Sequence, residues 1–201
     1  VNNANDAIGL IQTAEGAMTE THSMLQRMKT LTTQAANGTY TKTARTNIQA
    51  EIDALNKEIT RIATTTEFNG EKPLNPAKAG NALTFFIGAT ADKTNAMTVG
   101  QLQMTATALT VDKIKVETTT LAFQAMKSVD AAIDRVSTYR ATLGAAQNRL
   151  EHTVNNLKVT SENITSAESR IRDTDMADEI TAYTKNNILL QAAQSMLSQS
   201  N

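Results

Sequence analysis

The sequence predicts a mainly α-helical fold: an elongated antiparallel bundle, or rod, of long helices with a small β-hairpin region. Three features point there. Apolar residues repeat at spacings of three and four over long stretches at both ends of the chain. Both prolines, Pro73 and Pro76, fall in one short segment, "NGEKPLNPAKAG", so neither flank contains a residue that forces a helix to stop. Aromatic residues make up only 3% of the composition, with no Trp, while Ala, Thr, Asn and Gln abound and suit narrow helix–helix contacts.

The first helix is predicted over Asn3 to Ala36. Ala4, Ala7, Ile11, Ala14, Met18, Thr21, Leu25, Met28, Thr32 and Ala35 alternate spacings of three and four without a break. A parallel row, Leu10, Ala17, Met24 and Leu31, widens the apolar face, so this helix should touch more than one partner. "NGTY", Asn37 to Tyr40, supplies the stop, with Gly38 expected as a left-handed cap. A second helix is predicted over Thr43 to Thr65, with Ala44, Ile48, Ile52, Leu55, Ile59 and Ile62 on its face. The short connection folds it back antiparallel to the first. The period then changes. Phe68, the Asn69-Gly70 pair and the alternation of Leu83, Phe85 and Ile87 indicate β-hairpin structure, and Thr98 to Met104 a further strand or extended segment. Gly38, Gly70, Gly80, Gly88 and Gly100 sit in turn-like contexts.

From Thr119 the longest pattern begins. Ala122, Met126, Val129, Ile133, Val136, Arg140, Leu143, Gln147, Leu150, Val154, Leu157, Ser161 and Ile164 keep heptad spacing, which predicts a helix of roughly 60–70 Å. Such a helix buries its seam only if equally long helices lie beside it, so the two ends of the chain must meet. Gly9, Gly16 and Gly144 interrupt the helical patterns at a cost of roughly 1 kcal/mol each relative to Ala. Close helix approach is one reason to tolerate them. A final helix, Met176 to Ser198, is expected after "RDTDMADE", with Asp175 as its N-cap and Asp178 and Glu179 facing the positive end of its dipole. Its face of Met176, Ile180, Tyr183, Leu190, Ala193 and Leu197 demands a partner. Another copy of the chain is expected to supply it. The domain reading is a helical rod over 1–170, carrying the β-hairpin insertion at about 66–116, followed over 171–201 by a linker and the start of the last helix.

Several function classes drop out. A formal net charge of -1 lacks the basic excess of a nucleic-acid surface. Cysteine is absent, which excludes disulfides and thiol chemistry. No run of eighteen apolar residues is present to span a membrane. His22 and His152 stand alone, without a His-Glu-x-x-His pair, a G-x-S-x-G elbow or a glycine-rich phosphate loop elsewhere. The acids Asp173, Asp175, Asp178 and Glu179 lack the central glycine and distal glutamate of a calcium loop. The reading is therefore a protein that is no enzyme and holds no metal or cofactor. What remains is polar surface beside the seams, Gln26, Arg27, Gln34, Asn148, Arg149, Asn155 and Asn156, suited to contacts between copies.

"NANDAIGLIQTAEGAMTETHSMLQRMKTLTTQAANGT" (Asn3 to Thr39), "IQAEIDALNKEI" and "TEFNG" on one side resemble bacterial flagellin, and so does "LGAAQNRLEHTVNNLKVTSENITSAESRIRDTDMADEI" on the other. Together they cover most of the chain. The segment between, about Glu71 to Val116, is where flagellins vary, and its brevity is similar to small flagellins of Gram-positive rods. The resemblance implies a subunit of the flagellar filament that assembles with other flagellin subunits for motility. It implies export through the flagellar type III apparatus with the help of export chaperones, and an extracellular place in the bacterial flagellum. The two N-terminal helices and the long C-terminal helix would form a rod packed around the filament's inner tube. Full-length flagellins carry a further N-terminal segment that pairs with the C-terminal helix. That segment and the family's last stretch are expected to be missing here, so the chain reads as a fragment.

The resemblance also implies recognition by a vertebrate Toll-like receptor. The matching motif is "LQRMKTLTTQ", giving Gln26, Arg27, Leu31 and Gln34, with Glu51 from the second helix. Many strongly sensed flagellins carry an acidic residue between the arginine and the leucine, where this chain has Thr30. Two alternatives share the ancestry: a hook–filament junction protein, and a flagellin-borne zinc peptidase. The latter needs a histidine pair that Glu71 to Val116 does not contain.

Overall fold

The computed structural model describes residues 2–76, 82–88 and 95–199. It is mainly helical, with α1 (Asn2–Ala36), α2 (Lys42–Thr65), β1 (Ala82–Phe86), β2 (Ala96–Gly100) and α3 (Thr119–Gln199) in chain order. Contacts divide the chain into two compact units, Val1–Val154 and Asn155–Asn201.

The first unit is built around α1. All ten residues of its predicted stripe are buried, as are Leu10 and Leu31 of the second row. Burial of each large side chain, such as Leu25 or Met28, contributes about 1.5–3 kcal/mol. α2 runs antiparallel to α1, because Arg27 pairs with Glu51 at one level and Arg45 reaches Ala35 at another. α3 runs antiparallel to α1 as well, with Lys29 against Asp130 at 2.8 Å and Glu15 against Arg140 at 3.7 Å. Thr41 caps α2, its hydroxyl accepting from the Ala44 N–H at 3.2 Å.

The end of α1 differs from the expectation. Gly38 has no positive φ, so no left-handed cap forms. The guanidinium of Arg45 closes the helix instead, Nε donating to Ala35 O at 2.9 Å and Nη2 to Asn37 O at 3.0 Å. A charged fork across two terminal carbonyls satisfies acceptors that a Schellman turn would otherwise cover.

The buried faces of α2 and α3 are also rotated from the predicted ones. On α2, Ala44, Leu55 and Ile62 are only half-buried, while Gln49 and Asn56 are buried. These two amides hold the irregular segment before α3. Gln49 Nε2 donates to Ile114 O at 3.1 Å, Gln49 Oε1 accepts from Val116 N at 3.0 Å, and Asn56 Nδ2 donates to Val111 O at 2.8 Å. Leu109, Val111, Ile114 and Val116 of that segment are thereby fixed in the core. On α3 the buried row is Ala122, Ala125, Val129, Ala132, Val136, Tyr139, Leu143, Ala146, Leu150 and Val154. Ala125, Ala132, Tyr139 and Ala146 replace the predicted Met126, Ile133, Arg140 and Gln147, which lie half-buried at the margin. Ala125, Ala132 and Ala146 permit close backbone approach, and Arg140 and Gln147 stay partly exposed. The seam ends at Val154. Leu157 is half-buried, and Ser161 and Ile164 are exposed.

The hairpin prediction separates into two pieces. Asn69 (φ 52) and Gly70 (φ 84) make a tight turn whose flanks, Phe68 and Glu71, exchange backbone hydrogen bonds of 2.9 and 3.0 Å. The two-stranded antiparallel sheet lies further on and pairs β1 with β2, Leu83 opposite Val99 and Phe85 opposite Met97. Leu83, Phe85 and Ile87 turn inward together as expected, half-buried against exposed Thr84 and Phe86. Of the segment expected over Thr98 to Met104, Thr98 to Gly100 lie in β2 and the remainder is irregular, with the Met104 N–H donating to Leu74 O at 2.9 Å. Gly80 lies outside the described residues. Of the mid-helix glycines, Gly9 alone accommodates a close neighbour: a Cβ there would meet the Phe68 ring at 3.0 Å. Around Gly16 and Gly144 the chain leaves open space.

In the second unit the helix continues without a break. The expected linker and the N-cap at Asp175 are absent, since α3 runs through 170–180 with all four acids exposed on its surface. No Gly or Pro occurs between Gly144 and Gln199 to interrupt it. Local polar groups fold back on the helix, as where Thr174 Oγ1 donates to Arg170 O at 2.7 Å. Within the chain the stripe of Met176, Ile180, Tyr183, Leu190 and Leu197 is exposed, as are Ile188, Leu189 and Met196.

Candidate functional site

α1 and α2 each present one polar edge beyond their shared core, and the antiparallel pairing sets those edges side by side. Arg27 Nε donates to Glu51 Oε1 at 2.7 Å across the helix pair, with the two side chains 52% and 42% exposed. Glu51 stabilises the protonated guanidinium by hydrogen bond and charge, raising the Arg27 pKa further above its ordinary value. Exposed ion pairs of this kind add little to stability. The contact engages Nε, and an arginine bound there still carries further N–H donors on its guanidinium.

Gln26 is exposed beside Arg27, within 3.4 Å of the His22 ring. Thr30 is exposed one turn on, its hydroxyl donating to Gln26 O at 3.2 Å. Gln34 is half-buried on the following turn. Leu31 does not join them. At 2% exposure it belongs to the core, where it helps fix α1 beneath the polar edge rather than offering a side chain to a partner. The structure thus brings Gln26, Arg27 and Glu51 to one exposed edge, with Gln34 at its margin.

Sequence reasoning missed the two ion pairs that join α1 to α3, Lys29–Asp130 and Glu15–Arg140. Glu15 and Lys29 are two heptads apart beside the buried row, which is the signal that could have found them. Among the described residues no cluster of three His, Asp or Glu side chains is arranged to hold a metal ion. Among the described residues no helix is long and apolar enough to cross a membrane.

A long helical N-terminal pair, a small two-stranded sheet and a long C-terminal helix place the chain in the class of mainly helical proteins built from long helices. The bacterial flagellin N-terminal helical region matches residues 1–79, and the bacterial flagellin C-terminal helical region matches residues 126–201. The chain is 48% identical to flagellin of Bacillus subtilis (strain 168), covering 99% of this chain and 75% of that protein. It is 42% identical to flagellin of Halalkalibacterium halodurans, covering 99% and 72%. The crystal structure of Bacillus cereus flagellin superposes with a TM-score of 0.68 at 31% identity, covering 77% of this chain and 88% of that one. The chain belongs to the bacterial flagellins, structural subunits of the flagellar filament and not enzymes.

Proposed function

We propose that this flagellin assembles with further copies of itself into the filament after export through the flagellar type III apparatus, attended by export chaperones. We further propose that a vertebrate Toll-like receptor for flagellin reads the α1–α2 edge. The observation that carries the receptor reading is the Arg27–Glu51 pair, a permanently charged fork held at 2.7 Å on an exposed edge. Gln26 and Gln34 extend that edge along α1, and Leu31 supports it from below. For assembly, the supporting observation is the row of exposed apolar side chains from Met176 to Leu197, which a self-associating helix would cover. Receptor-reporter signalling by Arg27→Ala and Glu51→Ala, with helix content followed in parallel, tests the first reading. Both variants should signal much more weakly at unchanged helicity, and parental signalling would remove the assignment. Electron microscopy after salt-induced assembly tests the second, with long filaments expected.

A further inference from the structure

We infer that Asn37 is a site of spontaneous modification, at which the side-chain amide is lost through a cyclic succinimide to give aspartate and isoaspartate. The chain has two Asn-Gly pairs in described, exposed positions, Asn37-Gly38 and Asn69-Gly70. They differ in how the reacting atoms are held. At Asn37 the side-chain oxygen Oδ1 accepts from the Thr39 N–H at 3.1 Å. The ring closed by that bond contains both Asn37 Cγ and Gly38 N, so one turn holds the amide and the nitrogen that attacks it. The Thr39 N–H also points at the oxygen on which negative charge develops during attack, the arrangement that stabilises a tetrahedral intermediate. Among the described residues the Gly38 N–H meets no acceptor, and, its two chain neighbours aside, no heavy atom lies within 4 Å of the position of a Cβ at Gly38. The Arg45 guanidinium, 3.0 Å from Asn37 O, withdraws electron density from the Asn37–Gly38 peptide and eases loss of the Gly38 proton.

The chemistry needs only hydroxide and water. Hydroxide removes the Gly38 N–H proton and the nitrogen attacks Asn37 Cγ, forming the N–Cγ bond. The Cγ–Nδ2 bond breaks, and Nδ2 takes a proton from water and leaves as ammonia. Water then opens the ring at either carbonyl, leaving a carboxylate where a neutral amide stood. That carboxylate is born beside Arg45 and competes with Ala35 O and Asn37 O for the guanidinium that closes α1. Asn69 lacks these aids. It sits at φ 52 in the turn closed by the Phe68–Glu71 hydrogen bonds, and among the described residues no donor meets its side-chain oxygen and no guanidinium meets its carbonyl.

Peptide mapping of the intact chain after warm incubation at mildly alkaline pH tests the inference, with conversion measured at Asn37 and Asn69 separately. In urea the two pairs should convert at similar rates, because both are Asn-Gly. In the folded chain Asn37 should convert several-fold faster than Asn69. Gly38→Ala, at a position with open space and no left-handed φ, should slow conversion at Asn37 several-fold and leave Asn69 unchanged. Thr39→Pro, which removes the polarising N–H, should slow it too. Equal rates at the two sites in the folded chain, or an unchanged Asn37 rate in Gly38→Ala, would overturn the proposal.

Discussion

Gln49→Ala tests the buried amide contacts that tie α2 to the segment before α3. The side chain donates to Ile114 O at 3.1 Å and to Asp53 Oδ1 at 2.8 Å, and accepts from Val116 N at 3.0 Å. Gln49 is 8% exposed, and Ile114 and Val116 are buried as well. Truncation therefore strands one buried carbonyl and one buried N–H. Each such group costs about 1–3 kcal/mol, and partial hydration of the vacated space brings the expected sum to about 2–4 kcal/mol. For a chain of this size that corresponds to a fall in thermal midpoint of roughly 4–16 °C. The control is Gln12→Ala on the exposed face of α1, expected to change stability by less than about 0.5 kcal/mol. Hydrogen exchange supplies a local readout, since the Val116 amide should lose its protection in Gln49→Ala. If Gln49→Ala melts with Gln12→Ala and Val116 remains as slow to exchange as in the parent, the amide contacts do not hold this segment.

Tyr139 is buried, and desolvation raises its pKa above the ordinary 10.0, partly offset by a backbone hydrogen bond with Leu102. The neutral phenol is thus favoured in the folded state, so its contribution is complete below about pH 10 and lost as pH rises toward the folded pKa. Alkaline titration of the thermal midpoint should show this loss, and Tyr139→Phe should reduce it while costing about 1 kcal/mol at neutral pH. Gly16→Ala and Gly144→Ala place a methyl where nothing lies within 4 Å; denaturant unfolding should show each stabilising the isolated chain by roughly 0.5–1 kcal/mol, and a loss would reveal a neighbour to these positions. Asp175→Ala should leave the helicity of 155–199 unchanged by circular dichroism, whereas removal of a true N-cap would cost about 1 kcal/mol.

What was legible in the sequence was whatever rests on local periodicity. The α1 stripe came through complete because every third or fourth residue from Ala4 to Ala35 is small or apolar, and a helix has no other way to bury them. The α3 row was placed half correctly. Ala122, Val129, Val136, Leu143 and Leu150 fit either neighbouring row, and hydrophobicity favoured Met126 and Ile133 over Ala125 and Ala132. Helix proximity selected the small side chains instead, a preference set by the partner and invisible in the strand of letters. Gln49, Asn56 and Arg45 were missed for a related reason: their acceptors are backbone carbonyls of turns and irregular segments. At Asp175 the acids carried a cap signal, but nothing nearby terminates the preceding helix, so the signal had no boundary to mark. Arg27 and Glu51 were singled out by the flagellin resemblance, and the antiparallel pairing of the two helices accounts for their nearness. Leu31 could have been set apart from it, because it already stood in the apolar row with Leu10, Ala17 and Met24.

The unbroken course of α3 past Val154 has a consequence for how this protein melts. From Lys158 to Gln199 every residue is exposed, so among the described residues no buried core couples one turn to the next, and the helix there is sustained by backbone bonds and side-chain pairs such as Glu168–Arg172. Such a segment loses helix gradually from its end, with each residue following its own propensity. The first unit, with its shared core, should lose structure over a narrow range. A heating curve followed by helical signal will therefore combine a long slope with a sharper step, and calorimetric heat will belong chiefly to the step. Fitting the whole curve as one all-or-none transition would return an enthalpy too small for the chain, and covering the stripe with a partner should turn the slope into a second step.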